Sequence, residues 1–334
     1  MTNAALFANF KRDLPSMTGK NVVITGTTSG TGQVAADTMA LLGAEVFLLN
    51  RASERSSASL ASLQETHPAA EIHAIECDLQ SFASTQAAAE QMAALCPDGI
   101  DVLANNAGVM ALADTATGDG FDVQMQTNHL SHFLLTRELM PLLQLAAEAS
   151  GDARVVNHSS VARFAPGKKL KAEYFEKSTG QLGGDGSTMQ NMMFTGPRWE
   201  RYAQSKLANA AFTAALHHRL AASGSQVKAL VAHPGLANTH LQKTSVKEGG
   251  MGAKFTDVFM RMSQSPEEGA MGLISGMALA DAASGQFYGP GSGRMAIKGK
   301  AEPFPLEDFY DNDEMRELLW SKSEDAIGKT FDIS

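Results

Sequence analysis

The chain has 334 residues, of which 44% are hydrophobic, and its formal net charge is −9. This size can fill a large core, and the negative charge argues against a nucleic-acid surface. No uncharged apolar stretch is long enough to span a bilayer, and the N-terminus lacks the pattern of a signal peptide. The two cysteines, Cys77 and Cys96, form neither a disulfide framework nor a zinc pattern. We expect a cytoplasmic protein with no membrane span, no metal site and no nucleic-acid partner.

Apolar runs alternate with amphipathic segments along most of the chain. Strand patterns cover 21–26, 45–50, 71–78, 100–108, 153–160 and 227–235, and helix patterns cover 32–43, 57–67, 84–95, 120–146 and 201–212. Continuous Val, Ile and Leu runs in the strands are typical of a parallel sheet that is covered on both faces. Because crossovers are right-handed, the alternation predicts one α/β domain, 1–334, with a doubly wound parallel sheet of the Rossmann type.

The turn between the first strand and the first helix, "TGTTSGTGQ", contains Gly26, Gly30 and Gly32. Glycine lets a backbone turn tightly and approach a pyrophosphate, whose charge then lies at the helix N-terminus. Glycines alone are weak evidence, but their position between a strand and a helix strengthens the prediction of a dinucleotide site.

The second strand ends at Asn50, and Arg51 follows it. An acidic residue near this strand end would bind the ribose 2′-hydroxyl of NAD, and none is present. A guanidinium is suited to a 2′-phosphate. The sequence therefore favours NADP, with NAD as the alternative.

Two regions depart from the alternation. An insertion at 163–198 separates the fifth strand from the next helix and has a Gly-rich turn at Gly183 and Gly184. Such a long loop is usually functional or disordered, and we expect it to line or cover a substrate pocket. Residues 291–334 form a C-terminal extension, and 301–334 hold ten acidic and three basic residues.

Tyr202 and Lys206 lie four residues apart in a segment with a helical pattern, "RYAQSKLANAAF". This spacing puts both side chains on one face, one turn apart. A nearby ammonium favours the phenolate and should lower the pKa of Tyr202. The pair is either a tuned acid/base or an ordinary exposed face of an amphipathic helix.

The chain resembles the short-chain dehydrogenases/reductases, and within them the retinol-dehydrogenase-like group. The motifs that carry the resemblance are "TGTTSGTG", "CDL", "NNAG", "QTNHLSHFLLT", "VVNHSS", "YAQSKLAN" and "HPGLANT". They occur in the family's order and cover about 20–242. The insertion makes the interval between Ser160 and Tyr202 longer than in most members, which leaves the substrate open.

The resemblance implies that Tyr202 is the general acid in reduction and the general base in oxidation, with Lys206 lowering its pKa and holding the nicotinamide ribose. It also implies that Asn128 organises a proton-relaying water and that a serine polarises the substrate oxygen. Of Ser159 and Ser160, only one can face the nicotinamide, and the family pattern favours Ser160. Besides Arg51, Tyr202 and Lys206, the implied cofactor contacts are Gly26, Thr28, Ser29, Gly30, Thr31, Gly32, Asp78, Leu79, Asn105, Ala107, Gly108, Pro234, Gly235, Ala237 and Thr239.

These features predict hydride transfer between the nicotinamide and a carbon that bears oxygen. Phe and Met residues at 241–262 suggest either an apolar substrate or a lid with core-facing side chains. One alternative is a double-bond reductase similar to protochlorophyllide reductase, although Ala208 stands where that family has cysteine. Another is a dinucleotide sensor without turnover. Members of the family often pair through helices, which here correspond to 119–145 and 201–222, so a homo-oligomer is a further expectation.

Overall fold

The computed structural model describes residues 3–165, 167–237, 245, 249–250, 263–291 and 297–333. The strands are β1 Asn21–Thr25, β2 Glu45–Asn50, β3 Ile72–Glu76, β4 Val102–Asn105, β5 Ala153–His158, β6 Val227–Ala232, β7 Gln286–Pro290 and β8 Ala301–Pro305. They form one sheet in the order β3-β2-β1-β4-β5-β6-β7-β8. Strands β1 to β7 pair in parallel, which confirms the predicted doubly wound Rossmann-type sheet.

Strand β8 was not predicted, and it pairs antiparallel with β7 at the edge of the sheet. Its sequence, "AEPFP", contains Pro303 and Pro305, which cannot donate ladder hydrogen bonds. Prolines are tolerated only where one side of a strand has no partner, so this segment can form an edge strand and no other. The C-terminal extension therefore begins as part of the sheet.

Helices cover both faces of the sheet. They are α1 Asn3–Arg12, α2 Gly30–Leu41, α3 Glu54–Thr66, α4 Phe82–Leu95, α5 Val123–Met125, α6 Ser131–Ser150, α7 Thr188–Met192, α8 Pro197–Ser223, α9 Pro266–Ala278 and α10 Asp313–Ile327. A π-helical turn, Gln126–Leu130, joins α5 to α6, and 3₁₀ turns occupy Val161–Phe164 and Ala172–Phe175. No helix in these described ranges is both long and apolar enough to cross a membrane.

Successive side chains of each strand point to opposite faces of the sheet and pack into two separate hydrophobic cores. In β1, Val22 and Ile24 pack with α2 and α9, whereas Val23 packs on the opposite face with α4, α6 and α8. Full burial of an aliphatic side chain stabilises the fold by about 1.5–3 kcal/mol, so both faces contribute. This arrangement leaves the carboxyl ends of the strands as the place where loops can build a site.

The insertion and the C-terminal extension both contribute to the core. Leu170, Tyr174 and Phe175 of the insertion are buried in the cluster that surrounds α6 and α8. Trp320 and Phe331 of the extension lie in the same cluster, with ring centres 5.2 Å and 5.3 Å from that of Phe133. Neither segment is a loose appendage.

Candidate active site

The Gly-rich turn is held in shape by close main-chain contacts. Gly26 and Gly30 have positive φ angles of 72° and 62°, which favour glycine. A Cβ on Gly26 would lie 2.8 Å from the Cα of Ala107, and a Cβ on Gly32 would lie 2.2 Å from the carbonyl oxygen of Gly26. The turn can therefore carry only glycine at these places, and it opens α2 with its N-terminus free for an anion.

A cleft of about 750 Å³ opens at the carboxyl ends of the strands. Many of the predicted cofactor contacts line it: Gly26, Thr28, Ser29, Gly30, Thr31, Arg51, Asp78, Leu79, Ala107, Gly108, Tyr202, Lys206 and Pro234. Its volume lies within the range of small-molecule sites. The predicted motifs from distant parts of the chain therefore meet in one cavity.

Asn105, in contrast, does not line the cleft. Its side-chain amide donates to the hydroxyl of Thr136 and to Oδ1 of Asn157, both at 2.9 Å, beneath the sheet. The preceding sequence gave no sign of this, because alternation within "NNAG" fixes only that neighbouring residues face opposite ways. Asn105 holds β4 to β5 and α6, and its contact with a cofactor stays a prediction.

The next residue, Asn106, lines the cleft and was missed. Its amide donates to the carbonyl oxygens of Thr25 and Gly26 at 2.9 Å and 3.2 Å, and the hydroxyl of Thr31 donates to its Oδ1. Asn106 therefore braces the Gly-rich turn against the loop after β4.

Gly32, Gly235 and Ala237 also lie away from the lining of the cleft. Gly235 has a φ of 62°, and a Cβ there would lie 2.5 Å from the carbonyl oxygen of Ile297. Gly32 and Gly235 allow close packing of main chain, and the cofactor contacts of all three residues stay predictions. Thr239, the last predicted contact, lies outside the described residues.

A second arginine, Arg55, lines the cleft together with Arg51 and Ser53. It was missed because the helical pattern was taken to begin at residue 57, whereas α3 begins at Glu54 with Ser53 as its N-cap. Ser53 could have been recognised in the sequence, because serine is a preferred N-cap residue. In the structure its hydroxyl accepts from the main-chain N–H of Ser56.

Tyr202 and Lys206 lie on one face of α8, with Nζ of Lys206 6.0 Å from the centre of the Tyr202 ring. Burial raises the pKa of Tyr202 to about 12, and a hydrogen bond with Ser160 opposes this rise. The expected lowering by Lys206 is absent. Nζ of Lys206 donates instead to the carbonyl oxygen of His158 at 3.0 Å, and burial lowers the pKa of Lys206 to about 8.

The two adjacent serines face different partners. Ser159 is buried, and its hydroxyl donates to the carbonyl oxygen of Lys206 at 2.7 Å, so it anchors α8 to β5. Ser160 hydrogen-bonds with Tyr202, and its Oγ accepts from the N–H of Ala162 at 3.2 Å. Ser159 is also among the residues that line the cleft, whereas Ser160 interacts with Tyr202. The choice of Ser160 as the serine that binds the substrate stays a prediction.

Asn128 lies in the π-helical turn, and its side chain makes three hydrogen bonds. Oδ1 accepts from the N–H of Val109 at 2.7 Å, and Nδ2 donates to the carbonyl of Val109 and to the hydroxyl of Ser205 at 2.9 Å and 2.8 Å. Its main-chain carbonyl oxygen lies 3.0 Å from Nδ1 of His132. The proton-relaying water at Asn128 stays a prediction.

The aromatic side chain of Trp199 stands beside Tyr202 and was not predicted. Their ring centres are 6.0 Å apart, and Phe194 meets Trp199 edge-on at 4.9 Å. Nε1 of Trp199 donates to the carbonyl oxygen of Gly250 at 3.2 Å. The first turn of α8 thus places an aromatic surface next to the ring of Tyr202.

Arg201, which precedes Tyr202, ties the insertion down. It is fully buried, and its Nη1 donates to the carbonyl oxygens of Leu182 and Gly184 at 3.0 Å and 2.8 Å. Nε of Arg201 faces Asp122 at 3.2 Å, and burial raises the pKa of Asp122 to about 6. The Gly183–Gly184 turn, expected to allow motion, is held by this arginine.

Comparisons with known proteins agree with this geometry. Residues 20–173 match the family model described as short chain dehydrogenase. An uncharacterized oxidoreductase of Schizosaccharomyces pombe is 34% identical over 235 residues, which cover 70% of this chain and 65% of that protein. Retinol dehydrogenase 13 of Homo sapiens is 31% identical over 315 residues, which cover 93% of this chain and 85% of that protein. The resemblance predicted from the motifs is confirmed.

Solved structures share the fold. The crystal structure of an uncharacterized protein from Mycobacterium paratuberculosis has a TM-score of 0.71 and 30% identity, and covers 97% of this chain and 98% of that one. A complex of Pseudomonas aeruginosa RhlG with NADP has a TM-score of 0.61 and 24% identity, and covers 84% of this chain and 98% of that one. At this lower identity the likeness speaks for the fold alone.

Proposed function

The chain belongs to the short-chain dehydrogenase family, and from that premise we propose that it interconverts a carbonyl compound and an alcohol with NADP(H). The single observation that carries the proposal is that Tyr202 and Lys206, one turn apart on α8, both line the cleft. Ser160 interacts with the hydroxyl of Tyr202. Two hydroxyls that face one point can both bind the oxygen of a substrate.

The nicotinamide cofactor, when bound, supplies or accepts the hydride. Tyr202 donates a proton to the carbonyl oxygen in reduction and removes it in oxidation, a contribution of typically 10²–10⁴-fold. Ser160 polarises the same oxygen. Because burial raises the pKa of Tyr202 to about 12, the phenol is protonated at neutral pH, the state that reduction requires.

Residues of the cleft fit a dinucleotide with a 2′-phosphate. The Gly-rich turn leaves the N-terminus of α2 open for the pyrophosphate, and Asp78 and Leu79 line the adenosine end. Arg51 and Arg55 line the place beyond β2 where the 2′-phosphate would lie. Asn50 also lines the cleft, and its side-chain amide exchanges hydrogen bonds of 2.9 Å and 2.8 Å with Thr27.

The substrate is proposed to be an apolar aldehyde or ketone. Trp199 and Phe194 offer an aromatic surface beside Tyr202, and Met193 adjoins them in the chain with 65% of its surface exposed. An exposed apolar surface of this kind suits an apolar ligand. Residues 251–262, whose Phe and Met content also suggested an apolar substrate, lie outside the described residues. A cytoplasmic location stays a prediction.

The proposal is tested by a screen of aldehydes, ketones and conjugated enones with NADPH and with NADH, with identification of the products. We expect NADPH-dependent formation of alcohols and little turnover with NADH. Reduction of the carbon–carbon bond of the enones would favour the double-bond reductase, and tight NADPH binding without turnover of any compound would favour the sensor.

A further inference from the structure

A buried ion pair joins the loop after Ser160 to the C-terminal extension, 291–334, which forms the C-terminal segment of the chain. The side chains of Arg163 and Glu307 are exposed by only 0% and 2%. Nε of Arg163 donates to Oε2 of Glu307 at 2.8 Å, and Nη2 donates to Oε1 at 2.8 Å. Two parallel bonds of this kind fix both the distance and the orientation of the guanidinium.

Aromatic rings hold the same guanidinium from its two faces. Its central carbon lies 4.2 Å from the ring centre of Phe164 and 4.3 Å from that of Phe287 on β7. Phe287 stacks in turn on Phe304 of β8 at 4.8 Å. Planar contacts of this kind suit arginine and not lysine, so the position of the guanidinium is defined on all sides.

The third edge of the guanidinium reaches the candidate catalytic serine. Nη1 of Arg163 donates to the carbonyl oxygen of Ser160 at 3.1 Å, and the main-chain N–H of Arg163 donates to the same oxygen at 3.1 Å. The hydroxyl of Ser160 hydrogen-bonds with Tyr202. A chain of contacts thus runs from the C-terminal segment through Glu307 and Arg163 to the tyrosine.

A gain in folding stability does not by itself explain why Arg163 and Glu307 are buried as an ion pair. Taking two charges out of water costs free energy, and replacing a buried ion pair by apolar residues is often neutral or stabilising. What apolar residues cannot supply is the Nη1 bond to the carbonyl of Ser160. The feature that distinguishes Arg163 is therefore its hold on the main chain of the serine.

We propose that Arg163 and Glu307 are positioning residues, through which the C-terminal segment sets the hydroxyl of Ser160 against Tyr202. Neither side chain touches the reacting atoms. The inference rests on the proposed function, because the contact that it positions is the one assigned to the substrate oxygen. It makes the C-terminal segment a part of the active site and not only of the core.

The main test replaces both charges together, in Arg163→Met/Glu307→Leu. We expect a folded protein whose Tm is no lower than that of the wild type, whose Kd for NADPH stays within about threefold, and whose kcat falls roughly tenfold or more. A matched control, Glu138→Leu/Lys329→Met, removes a 2.7 Å ion pair that ties the C-terminal segment to α6 far from Ser160. We expect its kcat to match the wild type.

A second variant covers the case in which the double substitution does not fold. Arg163→Lys keeps a charge opposite Glu307 but cannot also donate to the carbonyl of Ser160. Its kcat should fall, and because the Ser160 hydrogen bond lowers the pKa of Tyr202, its pH profile for alcohol oxidation should move to higher pH. Folded variants with a wild-type kcat and pH profile would overturn the inference.

Tyr202→Phe in the same assay separates this inference from the proposed function. If Tyr202→Phe keeps the turnover of the wild type, the proposed function fails and the positioning role falls with it. If Tyr202→Phe is inactive while the double variant is fully active, the proposed function stands and only the positioning role fails.

Discussion

Burial determines the protonation state of the two titratable groups in the cleft. Tyr202, with a pKa raised to about 12, stays a phenol, and Lys206, with a pKa lowered to about 8, stays an ammonium only below that pH. The expectation that the lysine lowers the pKa of the tyrosine came from their spacing alone. In the folded chain the ammonium donates to the carbonyl of His158. The pKa of Tyr202 is raised by burial and lowered by the hydrogen bond with Ser160.

These pKa values predict opposite pH dependences for the two directions of the reaction. Oxidation needs the phenolate of Tyr202, so its kcat should rise across about pH 6–9, which lies below the pKa of that group. Reduction needs the phenol and should be level up to about pH 8, then decline as Lys206 loses its proton. Initial rates in both directions measure this. A reduction rate that falls between about pH 6 and pH 7 would speak against it.

Arg51 should decide the choice of cofactor. Arg51→Asp removes a partner of the 2′-phosphate and offers an acceptor to a 2′-hydroxyl, so the Kd for NADPH should rise about 10- to 100-fold and that for NADH should not. Arg12→Asp, on the exposed end of α1, changes the net charge equally and serves as the control. Equal Kd values of the wild type for NADPH and NADH would contradict the inference that Arg51 selects NADPH.

At the level of elements, the sequence predicted those strands and helices that have a regular hydrophobic pattern. Strands β1 to β6 and the helices between them follow from continuous apolar runs and 3.6-residue patterns. The insertion was expected to be a loop because it has no period, yet Tyr174 and Phe175 are buried in the core. Their burial depends on α6 and α8, which are distant in the chain, so no local pattern could indicate it.

The exposed part of the insertion is its second half. Met189, Met192 and Met193 on and after α7 have 68%, 41% and 65% of their surface exposed, whereas the first half is anchored by buried rings. The methionine segment is therefore the part of the insertion that we expect to contact a substrate.

Replacing these three methionines by serine should raise KM for apolar carbonyl compounds several-fold, since it removes exposed apolar surface that could contact them. The Kd for NADPH should stay within about threefold. Leu95→Ser/Leu145→Ser removes exposed apolar side chains elsewhere and is the control. An unchanged KM across a series of chain lengths would show that the segment does not contact the substrate.

On the scale of the whole molecule, the C-terminal segment changes the expected surface. The helices at 119–145 and 201–222 were expected to pair two copies, but α10 covers part of that face. The ring centre of Trp320 lies 5.2 Å from that of Phe133 and 6.2 Å from that of Phe212. The guanidinium of Arg219 lies 4.3 Å from the ring centre of Trp320. The segment is acidic in composition, and its few apolar residues determine its packing. A homo-oligomer stays a prediction.

The central claim is that the chain transfers a hydride from NADPH to a carbonyl carbon with Tyr202 as the acid. The most direct test uses NADPH that carries deuterium at both positions of the nicotinamide C4, and mass spectrometry of the alcohol formed by the wild type, Tyr202→Phe and the control Tyr288→Phe. We predict deuterium on the carbinol carbon with the wild type and the control, and less than about a tenth of that yield with Tyr202→Phe at an unchanged Kd for NADPH. An unlabelled alcohol, or full yield from Tyr202→Phe, would contradict the account.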